Sequence, residues 1–494
     1  MLGVRRLISA GIVLATAAAL VGGTVPTASA SPADPGLRTK IRSVLSDPRV
    51  TRAHSGAIVL DATDGRQLFA RYAGRAAIPA SNTKIVTAVT ALHVLGPGYR
   101  FKTDLIRRAR VSGGTLHGNL YLKGYGDPTL RESDLQALAQ QVRAAGIRTV
   151  SGDLAVDASF FDGTHYNPTW DKSYADDYYA APVFGLTLAP DADYNAGTVQ
   201  INYAPGSAAG KPARITFTPA AAASYVKIDN NATTGKRGAA MSFSAARKYG
   251  TPTIKLSGKV PRGRATGHTL ITVGRPDLYA AAVFRSELAT AGVTVRGVTR
   301  SMTTPAGNRT VVAQDTSMPL SKLLVPFLKL SNNNHAEALT KAMGALKGRP
   351  GNWADGLSYT KAYLKQLGVA MKRVRLSDGS GLSRADRLTP RAVARVLFRV
   401  QRESWFPAFY AALPVAGNPR RMIGGSLRDR MNGTRAANNA HAKTGSLTGV
   451  TALSGYVRGR DGRRYVFSMI SGFSGASPRP VEDELVETLA NRRR

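Results

Sequence analysis

Apolar and polar positions follow two rhythms along the chain, and the changes of rhythm divide it in three. Near the N-terminus, Gly56-Ala57-Ile58-Val59-Leu60-Asp61 and Arg66-Gln67-Leu68-Phe69-Ala70 flank a Thr63-Asp64-Gly65 turn, which predicts a β-hairpin. A short helix is predicted before it, around Leu37 to Leu45. A longer one follows from Ser81 to about Leu95, stopped by Gly96-Pro97-Gly98. From about 102 to 305 the pattern becomes short alternating segments between Gly, Pro and Asp turns, such as Thr115 to Leu122, Thr198 to Tyr203 and Arg214 to Thr218. Helical spacing interrupts this stretch at Ser133 to Ala145 and returns from Asp277 to Ala291. It continues through 320–330, 334–346, 356–367, 390–401 and 407–413. Strand patterns close the chain at His441 to Ser446, Thr451 to Gly459 and Arg464 to Ser471, before an acidic helix at Val481 to Ala490. Strands at both ends with helices between them imply one sheet assembled from the two termini. The fold class expected is therefore α/β (α+β), an antiparallel sheet flanked by helices and split by a large β-rich insertion that forms two further domains.

Composition changes this picture in three ways. Residues 1–30 look like an export segment: Arg5 and Arg6, a mostly apolar run from Leu7 to Val21, and Ala28-Ser29-Ala30 as a small-residue cleavage site. A secreted, extracytoplasmic location is the expectation, by the general secretory route. The absence of cysteine among 494 residues excludes disulfides, thiol catalysis and cysteine-ligated metal. The formal charge of +36 raises the possibility of nucleic acid, but Lys and Arg are scattered, without runs or an aromatic-interleaved stripe. No nucleic-acid partner is expected, and an anionic wall polymer suits the charge of an exported protein better.

The candidate chemistry begins at Ser81-Asn82-Thr83-Lys84, where positions i and i+3 of a helix start place an amine beside a hydroxyl and build an activated nucleophile without histidine. Ser224-Tyr225-Val226-Lys227 and Ser358-Tyr359-Thr360-Lys361 match the same pattern. The first falls in a segment that reads as a strand, where i and i+3 face opposite ways. The second has no useful companions after it. Ser81 does: Ser331-Asn332-Asn333 lies between two helices and Lys443-Thr444-Gly445 opens a C-terminal strand, each the sole S-x-N and K-T-G of the chain. The seven histidines show no metal-binding spacing and no serine sits in a G-x-S-x-G elbow, so neither metal nor cofactor is expected.

S-x-x-K, S-x-N and K-T-G in this order resemble the penicillin-recognising acyl-serine enzymes. Position 331 follows position 81 by 250 residues, a gap similar to that of the class C low-molecular-mass penicillin-binding proteins, the secreted D-alanyl-D-alanine carboxypeptidases and endopeptidases. Leu330 to Glu337, Asp378 to Arg384 and Leu413 to Gly417 resemble that family as well. The resemblance implies a transpeptidase-like catalytic domain of 36–102 plus 306–494, an inserted domain of 103–185 plus 262–305, and a β-rich module of 186–261.

It also implies roles. Ser81 is the nucleophile and Lys84 its base. Ser331 relays a proton to the leaving amine, and Asn333 holds Lys84 and the substrate amide. Lys443 and Thr444 bind the terminal carboxylate. Gly445 admits the substrate strand, the N–H groups of Ser81 and Ser446 form the oxyanion hole, and Arg384 and Leu447 shape a pocket for the stem side chain. Peptidoglycan stem peptides are the implied substrate and β-lactams the implied inhibitors. In relatives selective for a diaminopimelyl group an acidic residue of the insert grips its amine; here Ser173 occupies that register, with Asp171 and Asp176 as nearby substitutes. A β-lactamase and a non-catalytic wall-binding scaffold of the same fold are the competing readings. The first needs a deacylating base for which no motif is recognisable, and the second is hard to reconcile with an intact residue set.

Overall fold

The computed structural model describes residues 35–51, 54–247 and 251–493; the expected export segment lies outside the described residues. A five-stranded antiparallel sheet joins the two ends of the chain. Its strands lie in the order Gln67–Arg71, His54–Asp61, Arg464–Gly472, Val450–Arg458 and His441–Leu447. The expected hairpin is thus present, and its first strand pairs along its whole length with a strand some four hundred positions later.

Both faces of this sheet are covered, which is why its central strands read as continuous apolar runs. Ile58, Leu60, Ala452, Tyr456, Val466 and Ile470 point into the larger core with the helices Thr83–Val94, Leu320–Lys329 and Pro390–Arg399. The alternate residues Ala57, Val59, Leu453, Val457, Tyr465 and Phe467 pack beneath the terminal helices Pro35–Val44 and Arg479–Ala490. The period of two along each strand assigns the faces. Only His441–Leu447 and Gln67–Arg71 are edges, and the first of these borders the candidate site.

The insertion has a core of its own. Its main sheet runs Thr299–Ser301, Leu154–Asp157, Leu120–Gly124, Lys102–Arg107 and Thr310–Thr316, packed on the helices Glu132–Ala144 and Pro276–Thr290. Smaller sheets gather Thr198–Ala204 with Arg214–Thr218 and Gly267–Thr272, and Lys227–Asn230 with Thr253–Ser257 and Ser244–Arg247. Two details differ from the sequence expectation. Thr310–Thr316 lies beyond residue 306 yet pairs with Lys102–Arg107 of the inserted sheet, because the entering and leaving strands of an insertion close on each other. Ser224 ends a short 3-10 helix, Ala220–Ser224, and the strand starts only at Lys227.

Candidate active site

The helix Thr83–Val94 is buried around its whole circumference, with every residue from Thr83 to Leu92 inside, its polar members Thr83, Lys84, Thr87 and Thr90 included. It needs an entry that turns sharply from the protein surface into the core. Ala80 supplies it with a left-handed backbone (φ +46°), after which Ala80–Asn82 makes one 3-10 turn before the α-helix starts at Thr83. Ser81 is half-buried on that turn and Lys84 is fully buried one turn later.

The Lys84 Nζ makes three contacts: Ser81 Oγ at 2.9 Å, Asn333 Oδ1 at 2.6 Å and the Ser380 carbonyl at 2.8 Å. Burial lowers its pKa to about 7, against the opposing pull of Asp378 and Glu337. Two carbonyl acceptors match the two N–H bonds of a neutral amine, which leaves the lone pair directed at the Ser81 hydroxyl. The environment therefore favours a neutral amine and directs it at the Ser81 hydroxyl.

Ser331 has φ +60° in the junction between the helices Leu320–Lys329 and Asn333–Ala345. A non-glycine residue there costs of order 1–3 kcal/mol, so the surroundings must hold it. Lys443 does so, donating from Nζ to Ser331 Oγ at 2.9 Å and to the Thr444 carbonyl at 2.9 Å. Lys443 is fully buried, and burial together with the nearby Lys84 pushes its pKa well down. The strand reaches back to the nucleophile turn through Asn82, whose Nδ2 donates to the Lys443 carbonyl at 3.0 Å. Ser81, Lys84, Ser331, Asn333 and Lys443 are thus brought into one hydrogen-bonded constellation from three distant segments.

The outer residues are placed less uniformly. Thr444 is half-buried with its hydroxyl 2.7 Å from Ser426 Oγ, and Ser446 is exposed further along the edge strand. Arg384 is exposed and donates to the Thr448 carbonyl at 3.1 Å, next to the half-buried Leu447. Gly445 has a reason beyond substrate access: a Cβ there would stand 2.9 Å from the Pro79 carbonyl and 3.2 Å from Asn82 Nδ2, so the missing side chain lets the nucleophile turn sit against the strand. In the other S-x-x-K copies each serine bonds local backbone instead of its lysine. Ser224 Oγ bonds the Ala221 carbonyl, and Ser358 Oγ bonds the Asp355 carbonyl. Asp171 caps the turn at Ser173 and Asp176 pairs with Arg247 at 3.5 Å, so neither carboxylate is unoccupied.

A layer missed in the sequence supports the constellation from below. Glu337, fully buried, accepts from Trp353 Nε1 at 2.7 Å, Gly379 N at 3.0 Å and Ser380 N at 2.8 Å. Asp378, also fully buried, accepts from Trp170 Nε1, Gly381 N and Ser383 N, each at 2.7 Å. These two carboxylates shape the loop whose Ser380 carbonyl faces Lys84. Burial beside the other carboxylates raises Glu337 and Asp386 above the usual range. Gly381, at φ +79°, allows the loop to touch the Ala80 carbonyl, which a Cβ would meet at 1.9 Å. The available signal was the spacing of Glu337 four residues after Asn333, one helical turn along the same face. His335, beside Asn333 and Asn334, is fully buried. Burial lowers its pKa to about 4, and its Nε2 lies 3.1 Å from the Tyr194 carbonyl.

The insertion touches the site directly. Asn333 Nδ2 donates to the Tyr179 carbonyl at 2.8 Å, and Asn332 Nδ2 donates to the Asp193 and Tyr194 carbonyls at 2.9 and 3.2 Å. Arg421, near the K-T-G strand, pairs with the Asp193 carboxylate. Among the described residues no group of three His, Cys, Asp or Glu side chains could hold a metal ion, and no helix is long and apolar enough to cross a membrane.

Comparison with known proteins identifies the family. A D-alanyl-D-alanine carboxypeptidase of Actinomadura sp. (strain R39) is 39% identical over 460 residues, spanning 92% of this chain and 84% of that protein. D-alanyl-D-alanine carboxypeptidase DacB of Haemophilus influenzae is 26% identical over 419 residues, 83% of each chain. The crystal structure of penicillin binding protein 4 (dacB) from Haemophilus influenzae matches with a TM-score of 0.77 at 23% identity, covering 91% of this chain and 98% of that one, and so shares its fold. The model of the D-Ala-D-Ala carboxypeptidase 3 (S13) family matches residues 37–492, and with the sequence relatives at this coverage the chain belongs to that family.

Proposed function

We propose that the chain cleaves the D-Ala–D-Ala bond of peptidoglycan stem peptides through an acyl-enzyme on Ser81. The observation that carries this is the buried amine of Lys84, 2.9 Å from Ser81 Oγ, with its remaining contacts directed at two carbonyl acceptors. In its neutral form Lys84 takes the Ser81 proton as Oγ attacks the carbonyl carbon of the penultimate D-Ala. The C–N bond then breaks. The proton reaches the leaving amine through Ser331, whose hydroxyl Lys443 holds in place. A water molecule afterwards hydrolyses the ester, returning the proton to Oγ.

The backbone N–H groups of Ser81 and Ser446 are assigned to the developing oxyanion. Lys443 and Thr444 are assigned to the terminal carboxylate, because an arriving anion would stabilise the charged form of the buried Lys443 amine and accept hydrogen bonds at the edge strand. Arg384 and Leu447 are assigned to the stem side chain. Residues 36–102 with the C-terminal part from 306 form the catalytic unit in this scheme, the strand Thr310–Thr316 being shared with the insert's sheet. Residues 103–185 plus 262–305, and 186–261, form the two inserted units. Cleavage of cross-links as an endopeptidase, an extracytoplasmic location and contact with anionic wall polymers complete the proposal.

Fluorescent penicillin is expected to label Ser81 stably, and purified protein to release D-Ala from a stem pentapeptide. Labelling that persists in Ser81→Ala, or rapid turnover of the penicillin, would overturn the assignment.

A further inference from the structure

Three segments far apart in sequence meet at the end of the catalytic sheet opposite the Leu447–Val450 connection, and their charged residues are almost all arginine. Asn439 Nδ2 donates to the carbonyls of both Arg435 and Arg458, at 3.0 and 2.8 Å, tying two backbones together. Asp461 N donates to the Arg492 carbonyl at 2.9 Å, which brings the C-terminal end of the last helix onto the hairpin turn. Arg458 and Arg464 are direct cross-strand partners. Arg435, Arg458, Arg460 and Arg493 are exposed, and Arg435, Arg460 and Arg493 form no ion pair with an acid among the described residues. They lie close enough that Arg435 and Arg493 repel the charge on Arg460 and push its pKa down. The carboxylate of the turn, Asp461, is engaged by the Tyr465 hydroxyl at 2.5 Å and by Arg463 N at 3.1 Å.

Like charges placed directly across a hairpin destabilise it, and self-repulsion adds to that cost until a counter-charge arrives. We propose that this arginine cluster, centred on Arg435, Arg460 and Arg493, is a docking surface for a phosphodiester-linked cell-wall polymer. The proposal deepens the wall-polymer part of the function above and rests on it. Guanidinium groups match phosphate oxygens in bidentate geometry, and several of them on one rim suit an anion repeated along a chain. A nucleic acid fits less well. The aromatic rings beside the hairpin are engaged: Tyr465 is buried with its hydroxyl on Asp461, and Tyr410 is stacked on His441 at 4.1 Å with Arg464 over it at 5.2 Å, so neither offers a platform for a base. A lipid surface also fits less well, because the large exposed apolar side chains, Tyr72, Tyr178, Val298, Val311, Leu346 and Met422, lie outside the hairpin.

The placement matters for function. Lys443 pairs with Ser454, and Arg458 lies four residues further along the same strand, about 13 Å at roughly 3.3 Å per residue. A polymer held there would keep the enzyme on the wall and leave the cleft open.

The test uses the whole chain and end-labelled poly(glycerol phosphate), with single-stranded DNA and anionic phospholipid vesicles as competing probes. The triple variant R435Q/R460Q/R493Q is compared with R214Q/R262Q/R264Q, which removes the same charge from exposed arginines of the insertion. The hairpin triple should bind the polymer about tenfold or more weakly, and its slope of log affinity against log salt should fall by about two, at roughly 0.7 per lost contact. The insertion triple should stay close to wild type. Equal losses in the two triples would mean diffuse charge and overturn the proposal. Tighter binding of DNA or vesicles than of polymer, abolished in the hairpin triple, would overturn it in favour of that other partner. Penicillin acylation of Ser81, measured on the same proteins, should be unchanged throughout, so a failure of docking and a failure of the acyl-enzyme reading are separately visible.

Discussion

At the scale of the residue, the site turns on one amine. Lys84 has no exposed surface, and its burial lowers the pKa to about 7. The neutral form is the base, so the rate of Ser81 acylation by a β-lactam should climb about tenfold per pH unit below neutrality and level off above about pH 8. Stopped-flow acylation across that range reads this directly, and a rate that is flat across neutrality would remove Lys84 from the role. Lys84→Ala should lower acylation by about 10²- to 10⁴-fold, the usual contribution of a positioned base. Its far-UV circular dichroism should be unchanged, since a buried amine contributes little to the fold it burdens with desolvation.

Elements are held against one another here by close backbone approach and by buried carboxylates. Gly445→Ala places a methyl group 2.9 Å from the Pro79 carbonyl and against Asn82, forcing the nucleophile turn away from the strand. A loss of about 1–3 kcal/mol is expected from such overpacking. Thermal melting and penicillin labelling should fall together; a variant that melts lower but acylates normally would separate the two roles. Glu337→Gln tests the layer beneath Lys84. Three donors converge on that carboxylate, and a carboxamide would turn its own N–H₂ towards one of them. The unsatisfied pairing should cost about 1–3 kcal/mol and displace the Ser380 carbonyl. Removing a negative charge that raises Lys84 should also shift the pH midpoint of acylation downwards. A variant with wild-type midpoint and rate would show that Glu337 is only a packing residue.

In the whole molecule, the insertion is hydrogen-bonded to the candidate site although it supplies none of Ser81, Lys84, Ser331, Asn333 and Lys443. Trp170, within it, donates to the fully buried Asp378, and its ring meets that of Trp353, the donor to Glu337, at 6.2 Å edge to face. Trp170→Phe keeps most of the ring and deletes the N–H. It should destabilise the protein by about 1–3 kcal/mol through the orphaned carboxylate. It should also slow acylation at a residue it does not touch, and unaltered kinetics would confine the insert to a passive part. Lys341, buried against Asp162 and the Thr164 carbonyl at 2.6 Å each, fastens the same border.

What the sequence determined by itself was local or ordinal. Hydrophobic rhythm placed the terminal strands, the inserted β-rich stretch and most helices, because burial on one face or two leaves a period in the chain. The order of Ser81, Ser331 and Lys443 singled out one S-x-x-K copy of three, and the helix start predicted that Ser81 and Lys84 would meet, as they do at 2.9 Å. The family resemblance supplied the rest of the residue set. Tertiary structure alone decided the matters that depend on distant partners. Lys84 is buried, with its pKa lowered, only because segments around 333 and 380 enclose it. Gly445 is required by Pro79 and Asn82, 363 positions or more upstream. Glu337 and Asp378 read as ordinary helix and turn residues until their donors converge on them. Burial, desolvation and cross-strand contact are sums over three-dimensional neighbours, and no window along the chain contains those neighbours.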